Sequence, residues 1–346
     1  MDGAAPLRFP FEDPPAPGEA VAVAEGLLWL RFPLPMKLDH VNVYALEDAD
    51  GWTVVDTGFC NDTTQEMWHA AMAGPLGGRP VKRLLVTHHH PDHIGLAGWF
   101  QTEFGTELIT TRTAWLTARM LVLDEQAVPT SETLAYWRSA GMDPELYEQR
   151  RDARPMNFSD VVAPMPLGFR RIKEGDLIRL GGRDWDVRMG DGHAPEHATL
   201  WARDGAVVIG GDQLLASISP NLGVYATEPE ADPVAEWLDA CERLRPYATD
   251  DQLVLPGHKL PFTGLPTRMR QLIDNHHEAL DRLEEFLAEP KVAADCFPVL
   301  FRARITEAIY GMALVEAVAH LNHLLNLGRV RRWRREDGAW LWQRIG

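Results

Sequence analysis

The sequence predicts an α/β protein with a helical insertion and a C-terminal winged-helix-like tail, and three observations carry that expectation. In the first half, short runs rich in Val, Leu and Ile alternate with segments of helical spacing, the pattern of strands and helices packed in layers. The buried-strand pattern "VKRLLVTH" ends where a cluster of histidines begins, and open α/β sheets carry their chemistry beyond the carboxyl ends of strands. Finally, two helical patterns followed by strand, turn and strand close the chain, the outline of a winged helix.

Taken in order, the proline-rich opening over residues 1–18 reads as an extended arm. The segments "AVAVAEGLLWLRFPL", "VNVYALED" and "GWTVVDTG" combine alternation, β-branched content and a glycine stop, which predicts a series of hairpins. "TTQEMWHAAMAG" has helical spacing with Gly74 as its stop. Residues 111–169 are richer in helical pattern ("TAWLTARMLVLDEQAV", "SETLAYWRSAG") and then in Arg and Pro, which reads as an insertion or lid. Strands resume in "DLIRLGGRDWDVRMGDGHA" and "ATLWARDGAVVIGGD", with turns at Gly181-Gly182 and at Asp204-Gly205. A helix near "PVAEWLDACERL", the strand "QLVLPGH" and a long helix from Pro266 follow. The expected organisation is an arm over 1–18, a catalytic domain over 19–285 containing the insertion, and a winged-helix-like domain over 286–346.

Composition narrows the function. With 45% hydrophobic residues and no low-complexity tract among 346 residues, a globular chain is expected. The net charge of −16 opposes general nucleic-acid binding, because a polyphosphate rewards clustered Lys and Arg. From Lys291 onward the balance reverses, with nine Lys or Arg against five Asp or Glu. Cys60, Cys241 and Cys296 are far apart and odd in number, as in a reducing compartment. The start has no basic region followed by an apolar core, and no run of about 18 apolar residues occurs. A cytoplasmic protein with no membrane association is expected.

The stretch "THHHPDHIG" holds four histidines and an aspartate between His88 and His93. Protonated imidazoles would repel one another, and metal binding removes that cost by keeping each ring neutral. His88 and His90, two apart on a tight loop, can reach one ion, while Asp92 and His93, on an extended turn, face a second. A stable site needs further donors. His193 in "DGHAPEH", Asp212 in "GGD" and His258 in "PGHK" each follow a predicted strand and stand beside glycine, and a carboxylate such as Asp212 can bridge two ions.

In "VVDTG" with Asp56, "THHHPDH", "GH" at His193, "GGD" at Asp212 and "PGH" at His258, in that order, the chain resembles the metallo-β-lactamase-fold hydrolases over roughly residues 20–265. The resemblance implies a four-layered αβ/βα sandwich. It also implies one ion on His88, His90 and His193, a second on Asp92, His93 and His258, Asp212 between them, and Asp56 orienting the loop from behind the donors. Where the family often reads "GHTPG", this chain has "GHAPEHA", which brings Glu196 and His197 to the metal mouth.

The function implied is hydrolysis by a hydroxide activated between two divalent ions, zinc first, with iron and manganese suited to the same donors. Asp92 and Asp212 would orient that nucleophile. A small ester, thioester or lactone-type substrate is expected, the acidic body and the insertion restricting the cleft. The second reading is an endoribonuclease or other phosphodiesterase assisted by the winged helix, with "RVRRWRR" as its phosphate patch. In a third reading the tail serves assembly of a homo-oligomer.

Overall fold

The computed structural model describes residues 6–346, so that residues 1–5 of the expected arm lie outside the described residues. The chain divides into two compact units. The first comprises the chain up to Glu125, Asn157–Pro220 and Leu244–Met269.

Its larger sheet contains β1 (Val21–Ala24), β2 (Leu27–Pro33), β3 (His40–Asp48), β4 (Gly51–Val55), β5 (Val81–Leu85), β6 (Glu107–Thr110) and β7 (Arg170–Arg171), side by side in chain order. The first four pair antiparallel through short turns, whereas β4 to β7 run parallel. Parallel neighbours require a crossover. Helix α1 (Asp62–Ala73) supplies it between β4 and β5, and α2 (Pro91–Ile94) and α3 (Ala97–Phe104) between β5 and β6. Helix α4 (Arg112–Leu123) follows β6. Sequence chemistry sets the helix starts: Asn61 caps α1 by accepting from the Thr64 amide, and Thr111 caps α4 by accepting from the Ala114 amide.

The second sheet runs β12-β11-β10-β9-β8, from β8 (Leu177–Leu180), β9 (Arg183–Gly190), β10 (His197–Ala202), β11 (Val207–Gly211) and β12 (Leu253–Pro256). Gly181 and Gly182 form the β8–β9 turn with φ of 57° and 69°, a pair of left-handed conformations open to glycine at little cost. Trp29, Tyr44 and Leu85 from the first sheet pack with Trp185, Leu200, Ile209 and Leu255 from the second. Phe32, Val43, Val54 and Leu84 pack with Trp68 of α1 and Phe100 of α3. The first seven residues of β3 are therefore buried on both faces, and the strand reads as a nearly continuous apolar run.

Topology decides where chemistry can gather. Strands β4 and β5 are parallel. In the other sheet β9, β11 and β12 share one direction, since two antiparallel pairings separate β9 from β11 and β11 pairs parallel with β12. Asp56, His88, His193, Asp212 and His258 all lie in the loops just past the carboxyl ends of these strands.

The second unit comprises Gln126–Met156, Asn221–Arg243 and Arg270–Gly346. It contains α5 (Ser131–Ser139), α6 (Pro144–Arg150), most of α7 (Pro233–Leu244) and of α8 (Leu265–Phe286), α9 (Phe297–Leu300) and α10 (Tyr310–Asn326), then the hairpin β13 (Val330–Arg334) and β14 (Trp340–Arg344). The two helical patterns expected in the tail are one helix, α10, preceded by a 3-10 turn at Glu307–Ile309. The stretch Glu307–Asn326 is long and apolar enough to cross a membrane, but most of it is buried inside the protein. Arginines of the basic segment pair within this unit: Arg329 with Asp281 at 2.8 Å, Arg332 with Glu230 at 2.8 Å and Arg335 with Asp337 at 2.6 Å.

His276 of α8 lies between Trp237, 4.8 Å from its ring, and His320 of α10, 5.5 Å away. Its Nε2 is buried without a hydrogen bond. Burial, with His320 beside it, pushes the His276 imidazole down to about 3 from an ordinary 6.5. The unfolded chain therefore takes up a proton in that window that the folded protein refuses, so stability is full above it and is lost as pH falls through it. Urea midpoints at about pH 7 and about pH 4.5 should show a smaller loss in His276→Phe than in the parent protein.

Candidate metal centre

Three groups of donor atoms form, each with its atoms within 4.8 Å of one another: His88, His90 and His193; His88, His93 and Asp212; and Asp92, His93 and His258. The sequence-selected donors are thus brought together, with Asp212 in the middle. Its Oδ2 lies 3.4 Å from His193 Nε2 and 3.2 Å from His258 Nε2, and its Oδ1 lies 3.5 Å from His93 Nε2. Asp92 Oδ2 is 3.4 Å from His258 Nε2 and 3.6 Å from His93 Nε2.

Asp92 and His93 do not sit on an extended turn, as the spacing suggests. They occupy the first turn of α2, where Pro91 takes the opening position; its fixed φ and missing N–H suit a helix start.

Hydrogen bonds assign the ring tautomers. His258 Nδ1 donates to the His40 carbonyl at 2.8 Å, and His93 Nδ1 donates to Asp56 Oδ2 at 2.8 Å. Both leave Nε2 as the ring atom facing Asp92 and Asp212, where a bound cation would replace its proton. The Thr87 hydroxyl gives its hydrogen to Asp56, 2.9 Å from Oδ2. Thr87 Oγ1 is therefore an acceptor for His88 Nδ1 at 3.0 Å, so that His88 Nε2 carries no hydrogen and acts as an acceptor, 3.1 Å from His90 Nδ1. The Thr87 amide also donates to Asp56 Oδ1 at 2.8 Å. One carboxylate thereby orients two imidazoles, one directly and one through Thr87.

The electrostatics suit a cation. Burial and the neighbouring rings hold His88 and His90 well below the ordinary histidine value. Burial alone would lower His93 and His258 too, but the carboxylates of Asp92 and Asp212 reverse this, driving His93 well up and His258 to about 10. His93 Nε2 and Asp212 Oδ1 are buried and make no hydrogen bond, an arrangement costing roughly 1–3 kcal/mol per group unless a ligand satisfies it. Imidazole and carboxylate donors in this combination fit zinc, iron or manganese.

Gly257 leaves the pocket open, since a Cβ there would stand 2.2 Å from Asp212 Oδ1 and 2.8 Å from His93 Cε1. Gly257→Ala should therefore lower the bound metal measured by elemental analysis and cost about 1–3 kcal/mol in a melting experiment.

His89 belongs to none of the donor groups; its ring lies 4.7 Å from that of His90. His197 is also outside them, yet its Nε2 accepts from the Asp212 amide at 3.1 Å and its ring stacks on His88 at 4.5 Å. Sequence reasoning missed Thr87, whose only signal was its place before the histidines, and His40. The latter also accepts from the Lys259 amide, Nε2 to N 2.8 Å, and no local pattern marks it. Asp56, Glu196 and Lys259 are the non-glycine residues with positive φ among those described, at 65°, 50° and 69°. Each costs on the order of 1 kcal/mol, and all three adjoin this centre, where such strain tends to collect. Burial would raise the Glu196 carboxyl, but the hydroxyl and amide of Thr113 outweigh it and hold the group below its usual value.

Comparison with known proteins places this centre in context. Residues 36–289 match the family model of the metallo-beta-lactamase superfamily, and residues 280–345 match that of the metallo-beta-lactamase-like C-terminal domain. A beta-lactamase domain protein from Burkholderia ambifaria is 36% identical, with 98% of each chain covered and a TM-score of 0.90. A probable metallo-hydrolase of Bacillus subtilis is 23% identical over 87% of this chain and 92% of its own length. An acyl-coenzyme A thioesterase of Gallus gallus is 23% identical over 73% of this chain and 84% of its own. The α/β fold, the ordered loop motifs and these matches agree: the chain belongs to the metallo-beta-lactamase superfamily of metallo-hydrolases, with that superfamily's C-terminal domain at its end.

Proposed function

We propose that this protein is a dinuclear metal-dependent hydrolase of a small ester, thioester or lactone-type substrate, with zinc as its first metal and the cytoplasm as its setting. The observation that carries this reading is the convergence of two donor sets on Asp212, within 3.5 Å of His93, His193 and His258. His88, His90 and His193 would hold one ion, Asp92, His93 and His258 the other, and Asp212 both. Such ions, when bound, supply an activated water near neutral pH and polarise an electrophilic centre.

The chain's own residues do the rest. The Asp92 and Asp212 carboxylates orient the attacking water, and Asp92, which is not committed to both ions, receives its proton. Asp56 keeps hydrogen on Nδ1 of His93 and, through Thr87, on Nδ1 of His88, so that neither ring can present the wrong nitrogen. Water adds to the acyl carbon, the bond to the leaving oxygen or sulfur breaks, and the proton passes to the leaving group. A small acyl substrate is favoured because Arg329, Arg332 and Arg335 already face carboxylates of their own unit. The similarity to an acyl-coenzyme A thioesterase points the same way. We read α10 with β13 and β14 as the winged-helix-like part.

Elemental analysis after metal repletion, run beside a panel of thioester, lactone, β-lactam and RNA substrates, tests this reading. Two ions per chain with turnover of a small acyl compound is the expected result. RNA cleavage in preference to every acyl substrate would reverse the substrate assignment, and fewer than one ion per chain would overturn the ligand set.

A further inference from the structure

Glu196 stands where its backbone is strained, at φ 50°, a conformation that glycine adopts far more readily. Its side chain belongs to none of the donor groups and binds α4. Oε2 accepts from the Thr113 amide at 2.9 Å and from the Thr113 hydroxyl at 2.6 Å, and Oε1 lies 3.8 Å from Arg171 Nη2. Thr113 is the second residue of α4, and its amide is one of those that a helix leaves unsatisfied at its start. The Thr111 side chain already takes the Ala114 amide, so Glu196 serves the donor that the helix's own cap does not reach.

The loop between β9 and β10 carries His193, and Glu196 is its last residue before β10. Within the loop, the Glu196 amide donates to Asp191 Oδ1 at 3.0 Å. The carboxylate then fastens this closed turn to α4, an element 83 residues away in sequence. We propose that Glu196 is a positioning residue that holds the His193 loop, and with it the His193 ring, by tethering it to the first turn of α4. This inference rests on the reading of His193 as a metal ligand.

The test uses the full-length protein and zinc affinity, measured by competition with a chromophoric chelator, for the ion that His193→Ala removes. Glu196→Gly keeps a backbone suited to this φ but loses the tether, and should weaken that ion about 10-fold or more, the range usual for groups that orient ligands. Glu196→Gln keeps an acceptor oxygen and should stay within about 3-fold of the parent. Thr113→Val, which retains the amide bond, should fall between the two, and adding it to Glu196→Gly should cause little further loss.

Parental affinity in Glu196→Gly, even with a lowered melting temperature, would reduce Glu196 to a helix cap and overturn the proposal. So would a Glu196→Gln variant as weak as Glu196→Gly. If His193→Ala itself removes no ion, the ligand reading fails first and this inference with it, so the two failures are distinguishable.

Discussion

Alanine in place of His258 or of Asp92 is expected to remove one of two bound ions per chain and to lower hydrolysis by about 10³-fold or more, equivalent to at least ~4 kcal/mol of transition-state stabilisation. Both residues belong to one donor group and stand 3.4 Å apart, so each substitution deprives the same ion. Their structural costs should differ. His258 is buried, with its Nδ1–H bound to the His40 carbonyl, and its removal also leaves a void. Asp92 is partly buried, and its loss leaves a smaller void but takes a carboxylate from beside His93 and His258. Metal content by elemental analysis and turnover of the best acyl substrate check the result; full activity in both variants would sink the two-ion mechanism.

Asp56→Ala should produce the largest loss of stability among single substitutions at the centre, about 3–5 kcal/mol, because it strips a buried charge-assisted network of its acceptor. Asp56 is 2% exposed and takes the Thr87 amide, the Thr87 hydroxyl and His93 Nδ1. Without it, three donors lose their partner in the interior, and His93 and His88 are free to flip or change tautomer. Metal affinity should fall about 10- to 100-fold, as for other groups that orient histidine ligands. Urea unfolding of the metal-free protein reads the first effect and chelator competition the second. Equal stability in parent and variant would show that the network contributes little.

Much of this arrangement is legible in the sequence because its signals are local. The apolar runs and glycine stops mark β4, β5, β11 and β12, alternation marks β9, and each donor loop follows one of these strands. Other features are decided at a distance. The partner of His258 is a carbonyl 218 residues earlier, and the partner of Glu196 lies 83 residues earlier; no window of sequence contains both halves. Helix α3 is missed for a different reason. Its start, Leu96, carries no capping side chain and Gly98 falls inside it, so burial sustains it rather than propensity. Helix α6 does carry a signal, since Asp143 caps it ahead of Pro144, but the surrounding Arg and Pro hide a helix of seven residues.

The order of the donor loops along the chain has a consequence for biosynthesis. A chain made from its N-terminus has Asp56, His88, His90, Asp92 and His93 in hand early, yet the group with His90 waits for His193 and the group with Asp92 waits for His258. Nascent protein therefore offers an incomplete claw to any ion it meets while most of the first unit is being translated. The donors of one group are all synthesised before those of the other, and the full set exists only after the last strand of the second sheet and His258 have been made.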